Sequence, residues 1–167
     1  MIDMVLKVFK ALNSAVGPWQ LAFAAALAMI IGLTPLWSVH NAIILLLAFI
    51  LRVHISTFFV FWAVFSGLAY LLDPWFHQLG MAWLSNPSLT PFWTDLYQSQ
   101  WWQVAHFNHS ITLGSLAVSL VLFFPVAVLF RLSINKYRER MLPWVDKLKV
   151  VQVLKGSKLY DLYSRVS

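Results

Sequence analysis

Residues Pro18–Leu72, PWQLAFAAALAMIIGLTPLWSVHNAIILLLAFILRVHISTFFVFWAVFSGLAYLL, decide the fold. Three runs of Ala, Leu, Ile, Val, Phe and Trp follow one another, and the one formal charge among them is Arg52. A soluble domain has nowhere to hide that much apolar sequence. A bilayer demands it, because crossing about 30 Å of hydrocarbon takes roughly 20 apolar residues per helix. A second stretch, Ile111–Phe130, carries no charge at all. The chain reads as an all-α, polytopic membrane protein.

Composition agrees. Hydrophobic residues make up 60% and charged residues 11%, against about 45–50% and 25% in soluble domains. A length of 167 residues suits one compact bundle of a few helices. Cysteine is absent, which excludes disulfides, thiol nucleophiles and cysteine-ligated metals. The excess of positive charge sits in residues 131–167, with nine Lys/Arg against Glu139, Asp146 and Asp161. A basic flank after a membrane helix is a topology signal and a contact for anionic headgroups. It does not suggest a nucleic-acid-binding fold.

Residues 1–17 place Ile2, Val5, Leu6, Phe9, Leu12 and Val16 at helical spacing, opposite Asp3, Lys7, Lys10 and Asn13. That predicts an interfacial amphipathic helix, retained and not cleaved. Residues 18–130 form the membrane domain. Within it, 18–54 reads as two short apolar halves interrupted at Gly32-Leu33-Thr34-Pro35, the pattern of a broken or re-entrant hairpin. Gly32 is expected to permit the bend and Pro35 to break the ladder.

Residues 55–72 read as a full span closed by Asp73-Pro74-Trp75. Residues 73–110, rich in Trp and free of Lys and Arg, read as an outer interfacial segment. Residues 111–130 are the second full span, with Gly114 for close packing and Pro125 for a kink. Residues 131–167 form a basic cytoplasmic tail. The Lys/Arg distribution puts both termini in the cytoplasm and 73–110 outside. It favours a hairpin that enters and leaves on one face over three crossings between 18 and 72.

An Ala/Gly-rich helix, Gly32-Leu33-Thr34-Pro35, His40 five residues later, an aliphatic helix ending in Arg52 and a Pro after the next span resemble a bacterial inner-membrane domain family of unknown function. The resemblance covers about a third of the chain. Ser38 and His54 stand where that family commonly has Gly and Asn. It implies a bacterial cell inner membrane and no activity. A looser likeness to DedA-type lipid scramblases rests on the Gly/Pro-broken hairpin, although residues 18–72 here hold none of the acidic residues those proteins carry.

No nucleophile set, phosphate loop or paired carboxylate is visible, so neither an enzyme nor a cofactor is expected. His106 and His109 have i, i+3 spacing, but nothing nearby completes a metal site, and none is expected. The candidate lipid or solute path is Gly32, Thr34, Pro35, Ser38, His40 and Asn41, polar groups at a break in apolar sequence, with Arg52 as a phosphate fork. Thr34–Asn41 and Arg52 are expected to matter more than the outer histidines. The same polar groups could instead only satisfy the broken backbone. Two functions fit. One is an envelope transport component handling a lipid or small solute with a partner. The other is an assembly or anchoring subunit. Expected partners are membrane lipids and another envelope protein or further copies of the chain.

Overall fold

The computed structural model describes residues 7–8, 11–12, 16–104 and 108–141. These residues form helices α1 (Pro18–Leu33), α2 (Val39–Ile50), α3 (Ile55–Leu84), α4 (Thr90–Tyr97), α5 (Gln100–Val104) and α6 (Ser110–Lys136), with a π-helical turn at Tyr137–Met141 and no strand among them. Most of the amphipathic helix expected over 1–17, and the tail beyond 141, lie outside the described residues. Residues 7, 8, 11 and 12 are helical.

The core is α1 held between α3 and α6, which also pack on each other. Every residue of α1 from Leu21 to Leu33 except Phe23 is buried. Pro18 starts this helix at a position where its missing N–H costs nothing. Five alanines (Ala22, Ala24, Ala25, Ala26 and Ala28) then let two neighbours approach closely. On α6 the facing groups are small too: Ser115 and Ser119 are fully buried, and their hydroxyls donate back to the carbonyls of Ile111 and Leu116 at 2.7 and 3.0 Å.

α1 and α3 run parallel: Phe58 packs in the cluster around Ala24 and Leu27, and Gly32 lies against Phe65. α6 runs antiparallel to both, as the Phe23–Phe123 and Phe61–Phe130 ring pairs record. The start of α1 and the end of α6 therefore share one end of the bundle. There Arg131 stacks 4.4 Å over the Trp19 ring. Arg138 donates to the carbonyls of Ala11, Leu12 and Val16 at 2.9–3.0 Å, tying the N-terminal segment to the end of α6.

The helices α3 and α6, extended to Arg140, are each long and apolar enough to cross a membrane. Their outward faces carry Leu71, Val121, Phe124 and Leu129, all more than 60% exposed. Large apolar side chains turned outward over two long helices associate the chain with a membrane. α2 packs chiefly on α1 and turns Ile43, Leu46, Phe49 and Ile50 outward as well.

One boundary differs from the sequence reading. Asp73-Pro74 does not end the helix at Leu72; α3 continues through Pro74 to Leu84, about 45 Å in all. The reason lies in packing beyond the proline. Phe76 and Gly80 on α3 meet Gly114 and Ser110 on α6 backbone to backbone, and apolar helices tolerate Pro when neighbours hold both sides. His77, one turn past Asp73, pairs through Nδ1 with the Ser110 hydroxyl at 2.6 Å. Of the expected outer segment 73–110, residues 73–84 and Ser110 belong to the long helices, and α4 and α5 come between them in sequence.

α2 ends in a complete Schellman motif. The Val53 amide bonds the Ala48 carbonyl at 3.2 Å and the Arg52 amide bonds Phe49 at 3.1 Å. Buried Val53 and Ala48 make the accompanying apolar contact. Arg52 therefore occupies the left-handed position, φ 49°, where glycine is the ordinary occupant. Relief of that strain should make Arg52→Gly more stable than wild type by about 0.5–1 kcal/mol, after the chain entropy of glycine is subtracted. Thermal unfolding in detergent measures it, and a less stable Arg52→Gly chain contradicts the assignment.

Candidate functional site

The break between α1 and α2 lies where the sequence places it. α1 stops at Leu33 and α2 starts at Val39. Thr34, in extended backbone, caps α1, and its amide bonds the Ile30 carbonyl at 3.2 Å. The buried Asn41 side chain reaches back across the gap, its Nδ2 donating to the carbonyls of Pro35 at 2.9 Å and Leu36 at 3.3 Å. Asn41 Oδ1 accepts from the Thr34 hydroxyl at 2.9 Å. Ser38 Oγ donates to Pro35 at 2.7 Å. Thr34, Ser38 and Asn41 are thus a clasp that satisfies backbone groups freed by Pro35, as irregular backbone in apolar surroundings requires.

Gly32 has a different job from the one its sequence context suggests. It sits inside α1 in helical conformation, and no described glycine has positive φ. A Cβ on Gly32 would stand 2.6 Å from the Phe65 Cβ and 3.1 Å from the Trp62 carbonyl oxygen. It lets α1 lie directly on α3.

A cleft of about 1280 Å3 opens beside the clasp. Its walls are residues 31–38, the face of α3 from Phe59 to Asp73, and residues 108–112. Gly32, Thr34, Pro35 and Ser38 line it. Asn41 is joined to them through the clasp, and His40 follows on the first turn of α2. Arg52 does not join them. It terminates the opposite end of α2, about 18 Å away along the helix axis. His109 does line the cleft, whereas His106 lies outside the described residues.

Sequence reasoning missed Ser66, Tyr70 and Asp73, which line the cleft from α3. Their spacing of i, i+4, i+7 puts them on one helix face, a pattern visible only once the helix is carried to Asp73. Pro74 adds to that face. It has no N–H to give the Tyr70 carbonyl four residues earlier, so that oxygen lacks its ordinary i+4 donor. Among the described residues no three His, Asp or Glu side chains gather as a metal site would need. The arrangement can receive a partly apolar guest and offer it hydroxyls, carbonyl oxygens and one carboxylate.

No family model matches this sequence, and no solved structure matches it. A protein of Treponema pallidum (strain Nichols), described as uncharacterized, is 24% identical over 159 residues, which cover 95% of this chain and 98% of that one. The likeness therefore runs through both long helices, the break and most of the basic tail, and it brings no activity with it.

Proposed function

We propose that this protein is an integral inner-membrane component of an envelope transport system that handles a lipid or small solute together with a partner. The observation behind the reading is the cleft beside the α1–α2 break. It is a concave, mostly apolar space with a few polar groups, set against helices whose outer faces suit lipid. In this reading α1 and α2 form the re-entrant hairpin, both termini are cytoplasmic and the acidic, Lys/Arg-free segment faces outward. Membrane lipids and either an envelope protein or further copies of the chain are the partners.

The test is reconstitution into vesicles, with exchange of fluorescent lipid and flux of small solutes measured against protein-free vesicles. Exchange or flux is expected, and Ser66→Trp, which fills the cleft, should abolish it. A membrane-impermeant maleimide added outside cells should label a cysteine placed at position 98 of this cysteine-free chain; labelling only from the cytoplasmic side rejects the orientation. Should the vesicles carry neither lipid nor solute while an envelope protein co-purifies in fixed ratio, the chain is an assembly or anchoring subunit instead.

A further inference from the structure

We propose that the cleft binds a ligand through a positively charged ammonium group, held by the Asp73 carboxylate and the ring faces of Tyr70 and Trp37. The inference rests on the cleft being the ligand site of the reading above, and it names the chemistry that site selects.

Charge gives the first argument. Residues 53–130 contain no Lys or Arg, so the acidic end of the bundle holds no fixed cation among the described residues. Asp73 is half-buried in the cleft wall, and its carboxylate makes no hydrogen bond or ion pair with any described residue. A carboxylate in the wall of a mostly apolar cleft, with no pair among the described residues, is open to a cationic guest.

Shape and aromatic content give the second. Trp37 and Tyr70 are 93% and 81% exposed at the cleft, and Trp62 lines it further in. Aromatic faces attract ammonium groups, most strongly when water is excluded. Tyr70 and Asp73 are neighbours on one face of α3, so ring and carboxylate can engage one cation together. The Tyr70 carbonyl released by Pro74 supplies a further acceptor for an N–H.

An anion is poorly served by the same walls, because no Lys or Arg lines them. The ammonium can belong to a lipid headgroup or to a soluble amine.

The full chain and its Asp73→Asn variant, purified in mild neutral detergent, are titrated with benzylammonium while tryptophan fluorescence is read. Phosphatidylethanolamine and phosphatidylglycerol are then added as competitors. Saturable binding is expected, weakened at least about tenfold in Asp73→Asn. Competition by phosphatidylethanolamine alone identifies a lipid headgroup as the source, and competition by neither lipid identifies a soluble amine. Tyr70→Leu, at an exposed position where folding is not at stake, should weaken binding several-fold and serves if Asp73→Asn does not purify. Equal affinity in wild type and the variants, no saturable binding, or displacement by phosphatidylglycerol overturns the proposal. Ammonium binding without vesicle transport rejects the transport reading alone; transport without ammonium binding rejects this one alone.

Discussion

Gly80→Ala and Gly114→Ala should each destabilise the protein by about 3 kcal/mol, the upper range for forcing extra volume into a packed interior. A Cβ on Gly80 would strike the Ser110 carbonyl oxygen and stand 2.6 Å from its carbon. On Gly114 it would strike the Phe76 carbonyl oxygen and stand 2.9 Å from that carbon. Backbone cannot rotate aside as a side chain can, so α3 and α6 must separate. In detergent the loss corresponds to a fall in unfolding midpoint of roughly 6–12 °C for a chain of this size. Gly67→Ala is the control. Nothing lies within 4 Å of its added Cβ, so helix propensity alone should make it neutral or slightly stabilising. If the three variants melt together, the backbone contact between α3 and α6 is not what holds them.

The second large effect belongs to Asn41. Asn41→Ala removes both donors to the Pro35 and Leu36 carbonyls and the acceptor for the Thr34 hydroxyl. Each former partner keeps one other bond (Ser38 Oγ to Pro35, the Ser38 amide to Leu36, the Thr34 hydroxyl to Ile30), so the loss is that of three net hydrogen bonds at about 0.5–1.5 kcal/mol each, about 2–4 kcal/mol in all. Thr34→Val should cost less, because the Ile30 carbonyl keeps the Thr34 amide. The double variant should fall short of the sum, since the two residues share one bond. Unfolding midpoints of the four chains decide the matter. An Asn41→Ala chain as stable as wild type would remove the clasp from the account.

The break itself was legible because Pro35 lacks an N–H wherever it stands, and no neighbour can restore one. The two long apolar helices and the close packing at Gly114 were legible for equally local reasons. Pro74 shows where local reasoning fails. Its effect on α3 depends on the contact of Phe76 and Gly80 with α6, and those partners are about 30 to 40 residues away in sequence. Ending the helix at Leu72 also hid the Ser66, Tyr70 and Asp73 face. Arg52 was grouped with the break as a phosphate fork, yet it lies past the far end of α2 from the cleft. Gly32 was read through its backbone freedom, whereas its missing side chain is the property in use.

The buried position of α1 has a consequence for how the protein is made. Its alanine-rich surface is shaped for helix contacts, yet it leaves the ribosome before either of the helices that cover it. The end of α6 follows about 100 residues after Leu33, so at roughly 5–20 residues per second α1 waits on the order of 5–20 s for its last neighbour. Until then small side chains and the polar clasp face lipid or the insertion machinery. Completion of α6, and not the emergence of α1, is therefore the event that commits this chain to its fold.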